Sequence, residues 1–336
     1  MSIPSAPGYR RILVASDFSS WAEAALRQGL WVAEKSACEL VVAHVLSDLR
    51  KAVHHTSYDA RMDLLYGQGE LFQRELRRQA DHKLQAMIAA LGPTKVKVTY
   101  ETLLGRPFVE LIHSVQQEGY DLLLTGTRGL STVPSLLLGS TAKRLIRKCP
   151  CSVWVVKVDH SSPIPSLLVP VDMSDVSRKA FTEACRVARW AGATIHALHV
   201  VDSSDIPPGF LEQQPPDALT ARWRERIHEM AEQHFDQFLM EATPSDVFVH
   251  RHLCWGNPAH EIREYAEQLK TPLIVMGTVG RTGMKGVLMG NTAERVLTTC
   301  ECSILTVKPP GFASPIEPAS WSLHPGPAAP PTGDNE

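Results

Sequence analysis

The sequence predicts an α/β protein with two tandem doubly wound domains, each built around a mostly parallel sheet that carries helices on both faces. Three observations predict this fold class. The chain has 336 residues, which is long enough for two domains that each bury a core. Short apolar runs alternate with helical patterns along the chain, and the second half repeats the motifs of the first half.

The repeat extends over most of the chain. Its later motifs recur 151 residues apart (277 − 126), and its first strands recur 155 residues apart (172 − 17). A period of this length indicates two duplicated domains and not a solenoid, whose repeats are much shorter. The matching segments are 12–17 and 167–172, 121–129 and 272–280, 138–142 and 289–293, and 149–151 and 300–302.

Proline-rich segments predict where the domains end. We place the first domain at 8–158 and the second at 166–309, with a linker between them that contains Ser161-Ser-Pro-Ile-Pro165. Residues 310–336 contain many prolines and show no apolar periodicity, so we expect them to form a disordered tail.

Five strands are predicted in the first domain, because five short runs are rich in valine, leucine and isoleucine. Several of these runs are almost continuously apolar, as expected for strands that helices cover on both faces. Ser20 and Glu23 have the spacing of a capping box and predict the start of the first helix. Pro107 is predicted to begin a later helix. The strands are predicted at 11–16, 39–46, 95–103, 122–125 and 152–157, and the second domain repeats this order from 167–171 to 303–308.

Composition and charge argue against several classes of function. The net charge of −2 gives no electrostatic reason to expect a nucleic acid or an anionic membrane surface as a partner. No apolar run approaches the roughly 18–20 residues of a membrane-spanning helix, and the N-terminal sequence lacks the pattern of a secretory signal. Seven cysteines in a chain of this length favour reduced thiols over a disulfide framework. We therefore expect a cytoplasmic protein.

Each repeat contains three glycines with the same spacing, Gly-x2-Gly-x9-Gly. The first two glycines end a predicted strand, where a backbone without side chains can approach a phosphate closely. The third begins the next predicted helix, whose N–H groups and positive dipole end favour an anion. The glycines are Gly126, Gly129 and Gly139 in the first repeat and Gly277, Gly280 and Gly290 in the second, and Ser140, Thr141, Asn291 and Thr292 add side-chain donors at the helix starts.

Arg128 and Val279 occupy equivalent positions inside these glycine loops. The guanidinium of Arg128, and that of Arg281 in the second loop, could reach a bound phosphate or could equally be solvated. Asp17 and Asp172 end the first strand of each repeat, which in a doubly wound sheet places them beside the crevice where ligands bind. A carboxylate there could accept hydrogen bonds from ribose hydroxyls or help to hold Mg²⁺.

This arrangement resembles the universal stress protein family, and the resemblance covers nearly all of residues 8–309. The family has a five-stranded parallel sheet of order 3-2-1-4-5, and its ATP-binding members carry the same glycine spacing followed by serine or threonine. The first repeat matches this pattern through Ser140, whereas Asn291 replaces the hydroxyl residue in the second. The resemblance implies that the ends of the first strands contact adenosine and that backbone groups at the ends of the second strands contact adenine. These residues are Ala15, Ser16, Asp17 and Val45 in the first repeat, and Pro170, Val171, Asp172 and Val200 in the second.

His250, His252 and Cys254 alternate along a predicted strand and therefore lie on one face of it. Histidine and cysteine are good zinc ligands, and three protein ligands with a water form a catalytic zinc site. The alternative is the polar face of an edge strand that carries histidines by chance. We favour this alternative, because side chains at alternate strand positions are about 7 Å apart and suit a metal only with favourable rotamers.

Two further patterns are duplicated. The Cys-x-Cys pairs at 149–151 and 300–302 could form a four-thiolate metal site, but the resemblance places the two pairs at opposite ends of the domain interface. We therefore interpret them as buried small residues at a turn. His44 and His199 occupy equivalent positions near the ends of the second strands, and we expect them to be hydrogen-bonded wall residues without a catalytic role.

We expect a stress-response protein that binds ATP or a related nucleotide, with or without Mg²⁺, in one or both crevices and acts as a ligand-responsive binding module. No Walker-type lysine follows the glycines, and no base stands next to a nucleophile, which favours binding over chemistry. The alternatives are a slow ATPase or nucleotidyl-transfer enzyme on the same site, and a scaffold with non-binding crevices. The resemblance also implies that the two domains pair through their last strands within one chain, and it is compatible with a homodimer.

Overall fold

The computed structural model of the protein contains two compact units. One unit holds the first repeat together with residues 313–318, and the other holds the second repeat up to Phe312. The structure describes residues 8–47, 62–129, 138–157, 163–202, 218–280 and 289–318.

The first unit is a parallel five-stranded sheet with helices between the strands. Its strands are hydrogen-bonded in the order β3-β2-β1-β4-β5, as predicted. Its described elements are β1 (Arg11–Ser16), α1 (Ser20–Ser36), β2 (Glu39–Leu46), α2 (Met62–Ala89), β3 (Val98–Leu104), α3 (Pro107–Glu118), β4 (Leu122–Gly126), α4 (Ser140–Lys148) and β5 (Ser152–Val156).

The second unit repeats this topology. Its strands are also parallel and follow the equivalent order β8-β7-β6-β9-β10, so the predicted fold class is confirmed in both repeats. Its described elements are β6 (Ser166–Pro170), α5 (Asp175–Ala191), β7 (Thr194–Asp202), α6 (Ala218–Ala242), β8 (Val249–Gly256), α7 (Pro258–Gln268), β9 (Leu273–Gly277), α8 (Asn291–Thr299) and β10 (Ser303–Val307).

The central strands of both units are buried on both faces. Ile12, Leu13 and Val14 follow one another in β1, and each is fully buried, as are Leu167 and Leu168 in β6. Because successive strand residues point to opposite faces, burial of consecutive residues requires helices on both sides of the sheet. Each such side chain contributes about 1.5–3 kcal/mol when it is removed from water. No described helix is both long enough and apolar enough to span a bilayer.

The first helix of each unit is capped by a serine that follows the strand-end aspartate. In α1 the cap is Ser19 and not Ser20, so the predicted capping box is wrong. Ser19 Oγ accepts from the N–H of Ala22 at 3.2 Å, and Glu23 lies one position too late to complete the box. Ser174 caps α5 in the same way, through the N–H of the third helical residue. A capping serine typically contributes about 1 kcal/mol to stability.

The C-terminal segment differs from the expected disordered tail over residues 313–318. Gln116 Nε2 in α3 donates to the carbonyl oxygen of Ile316 at 3.0 Å, and His113 Nε2 donates to that of Glu317 at 3.1 Å. Apolar periodicity could not predict these contacts, because the segment is held through its backbone carbonyls. Residues 319–336 of the predicted tail lie outside the described residues.

Candidate functional site

A cavity of about 660 Å³ lies in the second unit at the carboxyl ends of β6, β7 and β9. A doubly wound sheet usually binds its ligands at this edge, and small-molecule sites typically have volumes of about 300–1,000 Å³. Every residue that the sequence assigns to the second nucleotide site lines the cavity. These residues are Pro170, Val171, Asp172, Val200, Gly277, Val279, Gly280, Gly290, Asn291 and Thr292.

Helix α6 supplies a wall of the cavity that the sequence analysis missed. Trp223, Ile227, Met230, Ala231 and His234 line the cavity, and their spacing of three and four residues places them on one face of the helix. The many charged residues between them indicate only a solvated helix when the sequence is inspected alone. The periodicity of the apolar residues was the signal that could have revealed this wall.

Asp172 is held by the turn that leads into α5. Its Oδ1 accepts from the N–H of Ser174 at 3.1 Å and from the hydroxyl of Ser174 at 2.5 Å. Met173, between them, has a φ of 61°, a left-handed conformation that costs a non-glycine residue roughly 1–2 kcal/mol. Asp17 and Ser19 form the same turn in the first unit, with distances of 3.1 and 2.6 Å. Both turns fix the aspartate before any ligand is bound.

The second glycine of each motif lies against this aspartate. A Cβ atom at Gly280 would be 2.6 Å from Asp172 Oδ2, and a Cβ atom at Gly129 would collide in the same way with Asp17 Oδ2. While the carboxylate keeps the orientation that the serine fixes, it leaves no room for a side chain at these glycines, whether or not a phosphate is bound. This reason differs from the close approach of a phosphate that the sequence analysis offered.

The first glycine of each motif is required by helix packing. A Cβ atom at Gly277 would lie 2.6 Å from Val176 Cγ1 in α5, and a Cβ atom at Gly126 would lie 2.6 Å from the Cβ atom of Trp21 in α1. Gly290 is different, because the nearest atoms to its added Cβ are 3.7 Å away and its φ is −78°. Of these glycines in the second repeat, Gly290 is therefore the one beside which space is left for a ligand.

The starts of α4 and α8 are tied to the preceding strands. The N–H of Gly290 donates to the carbonyl of Thr278 at 2.8 Å, and the N–H of Gly139 donates to that of Thr127 at 2.7 Å. Among the described residues, no side chain caps either helix. The first N–H groups of α8 therefore meet the cavity at the positive end of the helix dipole, together with the side chain of Asn291.

His44 and His199 bridge the first and second strands of their units. His44 Nδ1 lies 2.7 Å from the carbonyl oxygen of Ser16, and His199 Nδ1 lies 2.7 Å from that of Val171. Because a carbonyl can only accept, Nδ1 carries the proton in both rings. Burial lowers the pKa of His44, which favours the neutral ring. Both histidines are hydrogen-bonded, as the sequence analysis expects.

The described lining of the cavity carries the carboxylates of Asp172 and Asp202 but neither lysine nor arginine. Arg281, the candidate phosphate ligand of this loop, lies outside the described residues. In the first unit the guanidinium of Arg128 lies 6.0 Å from the centre of the Trp21 ring, in the range of a cation–π contact. Among the described lining residues, the donors available to an anion are therefore N–H and hydroxyl groups and not the side chain of a lysine or arginine.

The predicted residues of the first site also gather at one edge of their sheet. Ser16, the last residue of β1, pairs with His44 in the parallel register, two residues before the end of β2. The loop residues 130–137, which follow the glycines, lie outside the described part of the chain. Ala15 and Ser16 end β1 and Asp17 follows it, Val45 lies near the end of β2, Gly126, Arg128 and Gly129 lie at and beyond the end of β4, and Gly139 precedes α4, which Ser140 and Thr141 begin.

The two crevices differ at the residue that follows the aspartate. Phe18 stands in the first unit where Met173 stands in the second (173 − 18 = 155). The ring of Phe18 lies 4.3 Å from that of His44, and the ammonium of Lys83 lies 5.4 Å from the ring of Phe18. Phe18 therefore packs on the strand-end histidine of the first unit, whereas the equivalent Met173 lines the cavity of the second unit.

The geometry does not support the zinc hypothesis for His250, His252 and Cys254. His252 Nε2 lies 2.9 Å from His196 Nδ1 in β7, so the two rings share a hydrogen bond. The thiol of Cys254 is hydrogen-bonded to Glu261, and burial raises its pKa to about 11. Across the described segments, no group of three histidine, cysteine or acidic side chains is placed to hold a metal ion.

The family model described as the universal stress protein family matches the chain twice, at residues 8–157 and 164–308. Universal stress protein E of Photorhabdus laumondii is 26% identical over 329 residues, which cover 93% of this chain and 98% of that protein. Universal stress protein E of Escherichia coli K12 is 28% identical over 262 residues, covering 74% of this chain and 78% of that protein. The duplicated match agrees with the two repeats of the sequence.

A solved structure supports the fold assignment. A universal stress protein from Archaeoglobus fulgidus superimposes with a TM-score of 0.56 and 20% sequence identity. The superposition covers 89% of this chain and 98% of that chain. At this level of identity, the similarity concerns the fold alone.

Proposed function

The chain belongs to the universal stress protein family, and from that membership we propose that it binds ATP or a related nucleotide in one or both crevices. In this proposal it is a cytoplasmic, ligand-responsive binding module of the stress response, with its domains at 8–158 and 166–309. The observation that carries the proposal is the cavity of about 660 Å³, which is lined by all ten residues that the sequence assigns to the second site. The second crevice is the preferred site, because this cavity lies in the second unit.

The cavity offers separate surfaces for the parts of a nucleotide. Trp223 and Ile227 provide an apolar wall against which a purine can pack. The carboxylate of Asp172 can accept hydrogen bonds from ribose hydroxyls, and the start of α8 with Asn291 can donate to phosphate oxygens. Asp172 thus reaches the ligand in an orientation that Ser174 already fixes.

Mg²⁺ fits the donor set of this cavity. Mg²⁺ prefers oxygen ligands, keeps several waters and is usually bound through one or two carboxylates together with substrate phosphates. Asp172 and Asp202 are the described carboxylates that line the cavity and would hold it. When bound, Mg²⁺ supplies positive charge that offsets the repulsion between phosphates and these carboxylates.

The structure allows a direct test of nucleotide binding by isothermal titration of nucleotide-stripped protein with ATP and Mg²⁺. Gly290→Ala is the informative variant, because its added Cβ makes only ordinary contacts of 3.7 Å with the protein. We expect unchanged folding stability but an affinity at least about tenfold weaker, since the methyl group occupies space beside the helix start. Gly139→Ala is the matched control in the first repeat and is expected to bind as the wild type does.

The outcomes separate the candidate functions. Loss of affinity in Gly139→Ala instead of Gly290→Ala would move the site to the first crevice. If the wild type shows no heat of binding and no thermal stabilisation, nucleotide binding is contradicted and a scaffold function remains. Phosphate release that follows binding and disappears in Gly290→Ala would favour the alternative of a slow ATPase.

A further inference from the structure

We propose that Cys149 and Cys151 form a reversible redox modification site, at which peroxide converts the two thiols into a disulfide across a Cys-Pro-Cys turn. Their Sγ atoms lie 3.4 Å apart, and both thiols are reduced in the structure. A disulfide bond is about 2.05 Å long, so the sulfur atoms have to approach by only about 1.4 Å. The site lies at the start of β5 and outside both crevices.

The turn between α4 and β5 holds the two thiols close together. The N–H of Cys149 donates to the carbonyl of Leu145 at 2.8 Å and thereby ends α4. Ser152 begins β5 immediately after Cys151. Pro150 stands between the cysteines, and its ring restricts φ to about −65°. Because the backbone is restrained on both sides, joining the sulfur atoms removes little further conformational freedom.

The two thiols differ in exposure in a way that suits stepwise oxidation. Cys149 is fully buried, whereas Cys151 is partly exposed. Peroxide can therefore approach Cys151 more readily than Cys149, and the Sγ atom of Cys149 lies close enough to react with the oxidised product. The equivalent residues of the second repeat, Cys300 and Cys302, are both buried, with exposed fractions of 3% and 6%. A role as small buried core residues accounts for those two cysteines and for Cys149, but not for Cys151, which is partly exposed.

The proposed reaction balances with one molecule of hydrogen peroxide. The thiolate of Cys151 attacks a peroxide oxygen, the O–O bond breaks, and hydroxide leaves and takes up the thiol proton as water. Cys149 then loses its proton and attacks the sulfur of the sulfenic acid, whose S–O bond breaks as the second water leaves. Two thiols lose two electrons and peroxide gains them. A reducing dithiol reverses the change by exchange.

Peptide mapping of the full-length protein tests the proposal. The folded protein is treated with graded hydrogen peroxide, then unfolded, alkylated and digested with trypsin. Lys148 and Lys157 bracket the peptide 149–157, which contains both cysteines and no other. We expect this peptide to lose two hydrogens and escape alkylation at a peroxide concentration that leaves roughly nine-tenths of Cys300 and Cys302 alkylated. Dithiothreitol should restore alkylation.

Two variants identify the role of each thiol. In Cys149→Ser the partner thiol is missing, so Cys151 should accumulate sulfenic acid, which dimedone traps, and then sulfinic acid. Cys302→Ser is the matched control and should form the disulfide in peptide 149–157 as the wild type does. The proposal is overturned if wild-type Cys151 is oxidised to sulfinic acid without linkage, or if Cys300 and Cys302 link equally readily. The wild-type map decides this even if a variant fails to fold.

Discussion

At the scale of single residues, Asp172 and Gly280 act as one unit. Ser174 donates twice to one carboxylate oxygen of Asp172, and the other oxygen faces Gly280 so closely that no side chain fits there. The same relation joins Asp17 and Gly129 in the first repeat. The need for glycine at the second position of the motif therefore depends on the aspartate that follows the first strand. Substituting both residues together shows whether their effects on stability are coupled.

Gly280→Ala is expected to destabilise the second domain even without nucleotide, by about 1–3 kcal/mol, because the added Cβ collides with Asp172 Oδ2. Removing the carboxylate in Asp172→Ala should abolish most of this extra cost. Urea unfolding of the two single variants and the double variant gives the coupling energy. Gly290→Ala, whose Cβ has room, is the control for a glycine substitution in the same motif. Additive effects of Gly280→Ala and Asp172→Ala would contradict this account.

The paired rings of His196 and His252 predict a dependence of stability on pH. Burial lowers the pKa of both histidines from about 6.5, and neighbouring His250 lowers both further. The unfolded chain therefore binds protons at pH values where the folded pair does not, and the free energy of unfolding decreases as the pH falls below about 6.5. Tyr265 in α7 packs on the ring of His252 and stays neutral in this range.

His252→Gln should make this pH dependence shallower between about pH 7 and pH 5, because one of the two titrating rings is gone while a hydrogen-bonding side chain remains. Urea unfolding at a series of pH values measures the effect. His260→Gln, in α7 and exposed, is the control. An unchanged slope in His252→Gln would show that the acid sensitivity arises elsewhere.

At the scale of secondary-structure elements, α3 carries a contact that extends the first domain beyond its own repeat. Gln116 and His113 donate to the backbone of Ile316 and Glu317, so a short C-terminal segment belongs structurally to the first unit. A hydrogen bond of this kind typically contributes about 0.5–1.5 kcal/mol to stability. The first domain therefore ends, in the physical sense, well after the first repeat ends in the sequence.

A chain that ends at Phe312 is expected to lose about 1–2 kcal/mol of stability in the first domain, because α3 loses both backbone acceptors. A chain that ends at Pro318 keeps both acceptors and serves as the control. Thermal unfolding, combined with deuterium exchange in α3, measures the difference. Equal stability and equal exchange in the two truncated chains would mean that the contact contributes nothing.

At the scale of the whole molecule, the two repeats and their parallel sheets could be predicted from recurring motifs and nearly continuous apolar runs, whereas the strand order was implied only by the family resemblance. Features that depend on distances between elements could not be predicted from the sequence. The packing of Val176 against Gly277 depends on where α5 lies on the sheet, and the 3.4 Å contact of Cys149 with Cys151 depends on a turn. The wall formed by Trp223 was obscured by the charged residues that surround it in the sequence.

The two repeats are expected to respond unequally to nucleotide. Their glycine motifs have the same spacing, but Phe18 packs on His44 in the first unit, whereas the corresponding strand ends of the second unit open into the cavity. ATP with Mg²⁺ should therefore slow deuterium exchange at 198–202 and 290–293, with little change at 43–46. A ligand at about 100 times its dissociation constant stabilises the state that binds it by about 2.7 kcal/mol, which is ample for detection. Gly290→Ala should abolish the protection, and equal protection of both repeats would contradict the preference for the second crevice.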